Sequence, residues 1–281
     1  MRSLAEENLG EWEEHHLRSV QRKNKHLVTP NWYKDRNLPL QAHYSAQARN
    51  YAALARAQYL NNSPIEEIQH NFREAANNIL KCFSMTYNVN DHDYLGDKLS
   101  PNGAGYSGYG EVDTSRVNEI QLIEGINYAL MANDFTTAEQ LAYWYQDSYD
   151  GHKMDLDVNR YAFAYKYVLL DKKDEAQALL QETIDDCIQN KPTHPGDINF
   201  FTLSLTLQGI AMGSNKLFTE GLQQQLHFYE KTMTPSDDGW DTEEEFFCDH
   251  AIALANLGLR HGLPVTVEHP LMPKRLLIDK S

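Results

Sequence analysis

The densest group of side chains that could take part in chemistry is an acidic run near the C-terminus. Acids in the first turn of a helix interact favourably with the helix dipole, at about 0.3–1 kcal/mol each, so part of the run is what a helix start requires. Crowded carboxylates also repel one another, and a cationic protein surface with an aromatic anchor would neutralise them. The run therefore has two interpretations, a helix N-terminus and a protein-binding surface. Its members are seven acids and one tryptophan: Asp237, Asp238, Trp240, Asp241, Glu243, Glu244, Glu245 and Asp249.

A second candidate contact surface lies in residues 88–116, which have no helical period. This segment contains five glycines, one proline and three tyrosines, a composition that predicts a long loop. A G-x-G-x-x-G motif at 103–108 has the spacing of a dinucleotide-binding turn, but the residues before it do not have the pattern of the strand that such a turn needs. We therefore predict a loop without a dinucleotide site. Tyr106 and Tyr109 are candidate contact residues, because tyrosine supplies rigid amphipathic area in recognition loops.

The other residue types with catalytic or metal-binding chemistry form no recognisable motif. The best acid and histidine cluster, Asp91-His92-Asp93, lacks the i, i+4 histidine pair of a helical zinc site. The sequence has no CxxC pair, and Cys82, Cys187 and Cys248 lie on or beside apolar helical stripes, so we expect reduced core thiols. We predict a protein that is not an enzyme and binds no metal and no cofactor. A carboxylate pair of the glycosidase type stays an alternative, because helical toroids carry out such chemistry, but the 40 acids are not evidence for it, since so many acids always offer pairs.

Amphipathic helices are the elements that must position these side chains. In residues 161–188, two apolar stripes with i, i+3 and i, i+4 spacing flank a short polar run, which predicts two antiparallel helices joined as a hairpin. The pattern recurs in 44–83, 120–145 and 200–229, and a single helix follows in 246–259. One hairpin alone leaves an apolar face exposed, so we expect the hairpins to stack. The predicted fold class is all-α, with stacked antiparallel helical hairpins in a tetratricopeptide-like bundle or solenoid.

The hairpins predict a single domain. Residues 44–281 are assigned to the all-helical domain, which the loop 88–116 interrupts, and residues 1–43 to an irregular N-terminal segment. The apolar residues from Leu271 to Leu277 are expected to dock back on the bundle as a C-terminal tail.

Bulk charge limits the kinds of partner. With 25 Lys and Arg against 40 Asp and Glu, the formal net charge is −15, which disfavours nucleic acid and anionic membranes and favours a basic protein. The sequence contains no signal peptide pattern and no run of the ~20 apolar residues that a membrane helix needs. We therefore expect a cytoplasmic protein that binds neither nucleic acid nor membrane.

The C-terminal residues 246–277 combine four features in a fixed order. They are an acid before an alanine- and leucine-rich helix at 249–259, a glycine stop at Gly262, a valine-containing extended piece at 265–268, and Pro273 followed by two leucines. This order resembles the closing segment of the immunity protein 49 family, bacterial proteins that neutralise toxins of polymorphic and contact-dependent systems. A body of paired helices is also similar to that family.

The resemblance implies an antitoxin that binds a cognate bacterial toxin, expected to be basic, and occludes its active site. The expected contacts are the acidic run with Trp240, and the loop residues Tyr106 and Tyr109. Charge reversal at residues 243–245 is then expected to slow association without unfolding the protein. Two alternatives stay open: a tetratricopeptide-like scaffold that binds a peptide or protein partner in a groove, and a helical-toroid enzyme.

Overall fold

The computed structural model describes residues 14, 17, 18, 20, 21, 40–87, 105, 106, 110, 111, 117–144, 156–233 and 243–278. Within them, nine α-helices have defined bounds: α1 (Leu40–Leu60), α2 (Ile65–Tyr87), α3 (Glu119–Met131), α4 (Phe135–Trp144), α5 (Leu156–Leu169), α6 (Lys173–Asn190), α7 (Pro195–Met212), α8 (Asn215–Met233) and α9 (Asp249–Arg260). Two 3₁₀ turns, Glu243–Phe246 and Lys274–Leu276, and an antiparallel pair of two-residue strands, β1 (Gly105–Tyr106) and β2 (Gly110–Glu111), accompany them. The predicted all-α class is confirmed.

The odd-numbered helices all end in the same way. Near the end of each helix one amide donates to the carbonyl oxygen five residues back, at 2.8–2.9 Å. This is the Schellman arrangement, which needs a left-handed residue that asparagine, aspartate and glycine tolerate best. The chain therefore reverses within a few residues after α1, α3, α5 and α7. The left-handed residues at the ends of the five odd-numbered helices are Asn62 (φ 55°), Asn133 (φ 56°), Asp171 (φ 57°), Gly213 (φ 66°) and Gly262 (φ 87°).

Four of the odd-numbered helices form an inner ring. Helix α3 contacts α5, α5 contacts α7, α7 contacts α9, and α9 contacts α3. Each even-numbered helix contacts the odd-numbered helix before it and the one after it. Residues 125–131 of α3 and 251–258 of α9 are buried without interruption. Helices that are buried on all sides belong to the centre of a fold, so α3 and α9 form its middle.

Asn256 of α9 fastens the C-terminal tail to this centre. Its Nδ2 donates to the main-chain oxygens of Leu130 and Leu276, each at 3.0 Å, and its Oδ1 accepts from the amide of Ile278 at 2.9 Å. The amide of Cys248 donates to the oxygen of Leu271 at 2.8 Å. The expectation that the tail docks back on the bundle is therefore confirmed.

Several sequence predictions fall largely outside the described residues. The loop 88–116 is described only at the four residues of β1 and β2, and the segment 1–43 only in part; α1 begins at Leu40, inside that segment. The three cysteines are free and buried, as predicted. Among the described helices, none combines the length and the apolar character needed to cross a membrane.

Candidate functional site

Arg56 of α1 lies inside the protein and is surrounded by carboxylates. Its Nε donates to Asp249 at 3.3 Å and its Nη2 donates to the same carboxylate, while Nη1 lies 3.5 Å from Glu244 Oε1 and 3.8 Å from Glu243 Oε1. Burial alone lowers the pKa of Arg56, but the charges of Asp249 and Glu244 outweigh burial and hold this pKa well above its ordinary value. The guanidinium therefore stays charged. We call these four residues the Arg56 cluster.

The Arg56 cluster joins three elements that are distant in sequence. It links α1 to the 3₁₀ turn Glu243–Phe246 and to the first residue of α9. The turn is held in place from two sides: the Tyr229 hydroxyl of α8 donates to the main-chain oxygen of Glu244 at 2.8 Å, and the rings of Tyr59 and Phe247 meet edge to face at 5.2 Å. The carboxylates are therefore presented by a fixed backbone.

The structure divides the predicted contact residues into three groups. Glu243 and Asp249 face Arg56, with side chains 8% and 18% exposed, whereas the Glu244 side chain is 52% exposed. These three are brought together. The structure does not describe the side chains of the other predicted contact residues, which are Asp237, Asp238, Trp240, Asp241, Glu245, Tyr106 and Tyr109.

The expectation that charge reversal at 243–245 leaves the fold intact is corrected for Glu243. A lysine at this buried position would place a second cation beside Arg56. Asp249 likewise accepts a hydrogen bond from Arg56 and thereby supports the fold. Of the predicted contacts with described side chains, Glu244 is the residue that a partner can reach.

The Arg56 cluster keeps an excess of negative charge. The four residues are three carboxylates and one guanidinium, so their formal charges sum to −2. Nearby Glu124 of α3 responds to this field: burial raises its pKa, Arg49 and Arg56 act in the opposite direction, and Glu244 and Asp249 contribute to the rise. The face between α1, α3 and the 3₁₀ turn can therefore accept a cationic group, and its accessible carboxylate is Glu244.

A neutral polar network lies beside the cluster at the centre of the ring. Asn127 of α3 bonds His250 Nδ1 through its Nδ2 at 2.9 Å, and its Oδ1 accepts from the Tyr165 hydroxyl at 3.0 Å. In this arrangement Nδ1 of His250 is an acceptor, which fixes the neutral tautomer with its proton on Nε2. Burial lowers the pKa of His250, and Asp249 offsets part of this effect.

We expect the network to make stability depend on pH. Because the pKa of His250 is lower in the folded than in the unfolded protein, its contribution is fully present above about pH 6.5 and is lost as pH falls through the folded pKa. Burial also lowers the pKa values of His43 and His261. The free energy of unfolding, measured in urea between pH 7.5 and 5.5, should fall with acid, and the fall should be smaller in His250→Gln. Equal pH dependence in the two proteins would contradict this.

The cysteines and the acidic residues give no sign of metal or thiol chemistry in the described ranges. Burial raises the pKa of Cys248 to about 12 and that of Cys187 to about 11, so both thiols stay protonated and unreactive at neutral pH. Within the described residues, no three His, Cys, Asp or Glu side chains are arranged to hold a metal ion.

Comparison of the chain with protein-family models, with curated proteins and with solved structures found no match.

Proposed function

We propose that this protein is an antitoxin, which binds a basic bacterial toxin and neutralises it by occluding its active site. The observation that carries the proposal is the Arg56 cluster, where a fixed turn presents the half-exposed Glu244 among residues whose formal charges sum to −2. The net charge of −15 and the resemblance of residues 246–277 to immunity proteins support the same reading. In this proposal the protein acts in the cytoplasm, is not an enzyme, and binds a protein rather than nucleic acid or membrane.

The members of the Arg56 cluster have two different roles in the proposed binding. Glu243 and Asp249 hold Arg56 and thereby fix the turn, so they position the site without touching the partner. Glu244 attracts a cationic side chain of the toxin, and the surrounding negative field accelerates the encounter. We keep Trp240, Tyr106 and Tyr109 as proposed aromatic anchors, since buried aromatics supply most of the affinity of protein interfaces.

A tetratricopeptide-like scaffold is the second candidate function. The common ending of the odd-numbered helices supports a stack of repeated hairpins. Such scaffolds hold peptides against their inner helices. Here, however, α9 packs against α3 and α7, so a peptide on that surface would have to displace a helix of the same chain. The antitoxin proposal requires no such displacement, and for that reason we prefer it.

The proposal predicts a kinetic effect of charge reversal at Glu244. The assay co-expresses this chain with a toxin domain encoded beside its gene and measures rescue of growth, followed by association kinetics of the purified pair. Wild type should rescue and form a one-to-one complex. Glu244→Lys should lower the association rate by roughly three- to tenfold, with a smaller change in dissociation, because it weakens long-range attraction.

Glu139→Lys on the exposed face of α4 is the matched control, since it makes the same change in net charge away from the cluster. It should slow association much less than Glu244→Lys. Equal slowing by the two variants would mean that only total charge matters, and absence of rescue by wild type would refute the antitoxin function for that toxin.

A further inference from the structure

A second surface with the properties of a docking site lies where α5 begins and α6 ends. Large apolar side chains are exposed at both places: Leu156 at 59% and Ile188 at 61%. Their sequence neighbours Asp157 and Cys187 line an open cleft of about 500 Å³, which also reaches the start of α7. This volume falls within the range of about 300–1,000 Å³ typical of ligand sites. Leu156 and Ile188 lie at the same end of the α5–α6 pair as the cleft, so a chain segment that entered the cleft could also cover these apolar side chains.

The charge of the cleft specifies what could cover it. Asp157, Asp186 and Asp197 line the cleft, and Arg160 is shared between Asp157, Asp186 and Glu182. Together with Lys191, these described residues comprise four carboxylates and two cations, so their formal charges sum to −2. The same field acts on Cys187, whose pKa is raised first by burial and then by the three aspartates. A cationic occupant is therefore favoured.

We propose that the cleft docks a cationic segment of a partner protein, with an arginine or lysine between the aspartates and an adjacent apolar side chain against Leu156 and Ile188. A second copy of the chain does not fit this chemistry, because both copies carry a net charge of −15. Nucleic acid is excluded by the same sign of charge. The proposal rests on the proposed function in one respect only, namely that the cationic partner is the toxin named there.

The test uses the full chain and two fluorescein-labelled probe peptides. One is a short peptide of alternating arginine and leucine, and the other has serine in place of each leucine. Fluorescence anisotropy titrations at physiological salt should show the arginine–leucine peptide binding at least about tenfold more tightly, because only this peptide can use the apolar side chains. Equal affinity for the two peptides would overturn the proposal and leave only attraction by total charge.

Variants place the binding on this surface. The double variant Leu156→Ser with Ile188→Ser should weaken binding of the arginine–leucine peptide about tenfold, and Asp197→Asn several-fold. Met212→Ser is the matched control, since Met212 is 56% exposed and is the last residue of α7, whereas the cleft lies at the start of that helix. All these positions are at the surface, and unchanged melting temperatures check that each variant folds. A double variant that binds as tightly as Met212→Ser would overturn the proposal.

Failure of this inference can be told apart from failure of the antitoxin proposal. If wild type rescues cells from the toxin and the double variant rescues and binds equally well, the cleft is not the docking surface, while the antitoxin function stands. If wild type protects against no toxin but the peptide titrations still separate the double variant from Met212→Ser, the cleft binds cationic segments of a different partner.

Discussion

Replacing Arg56 by methionine is expected to lower the free energy of unfolding by about 3–5 kcal/mol, the usual cost of removing one partner from a buried ion pair. Methionine fills much of the same space, so the loss is mainly electrostatic. Glu243 and Asp249 would both lose the buried guanidinium that they share in the folded protein. Urea unfolding at pH 7.5 measures the effect. Lys216→Met is the control, because it removes the same charge from a side chain that is 85% exposed.

A compensated variant separates the charge effect from the packing effect. Adding Glu243→Gln and Asp249→Asn to Arg56→Met removes the carboxylates that the first change leaves unpaired. Well-packed neutral residues often replace buried ion pairs without loss, so much of the lost stability should return. If Arg56→Met proved as stable as Lys216→Met, Arg56 would not be the residue that holds α1 to the C-terminal region.

The helices and their order were predictable from local pattern, because apolar residues at i, i+3 and i, i+4 determine which face a helix must bury. The turn residues Asn62, Asn133 and Asp171 were visible as polar breaks, but their common left-handed geometry was not. The closure of the inner ring by α9 was also not predictable. It depends on contacts between helices far apart in the chain, which no local periodicity encodes.

The candidate site, too, was predictable from the sequence in part only. Charge density identified the acidic run, yet sequence alone did not indicate that a cation 193 residues away neutralises part of it. One signal was present: Arg56 follows Ala48 and Ala52 at four-residue intervals, and so it occupies a position on the apolar stripe of α1. A charged residue on such a stripe needs a buried partner of opposite sign. The acidic run supplied that partner, which leaves Glu244 rather than Glu243 or Asp249 accessible to the proposed toxin.

Replacing Gly209 by alanine should have the second largest effect, because it would separate α7 from α8. An alanine Cβ at this position would lie 2.3 Å from the amide nitrogen and 2.6 Å from the Cα of Phe218. Both atoms belong to the backbone of α8, so no side-chain rotation can relieve the clash. Alanine favours helices over glycine by about 1 kcal/mol, but the overlap is much larger than this gain can offset.

The clash at Gly209 would also reach the centre of the fold. The Phe218 ring lies directly against Gly258 of α9, since a Cβ added at Gly258 would be only 2.4 Å from Cζ of Phe218. Phe218 therefore has no space to move towards α9. Overpacking in cores costs about 1–3 kcal/mol and sometimes more, and with both sides blocked we expect about 3 kcal/mol or more for Gly209→Ala. Gly213→Ala is the control: its Cβ meets nothing within 4 Å, and its φ of 66° should cost only about 1–2 kcal/mol. Urea unfolding of both variants measures the loss of unfolding free energy and distinguishes a steric effect from a conformational one. If the two variants lost equal free energy, α7 and α8 would be able to move apart, and the clash at Gly209 would not be the cause.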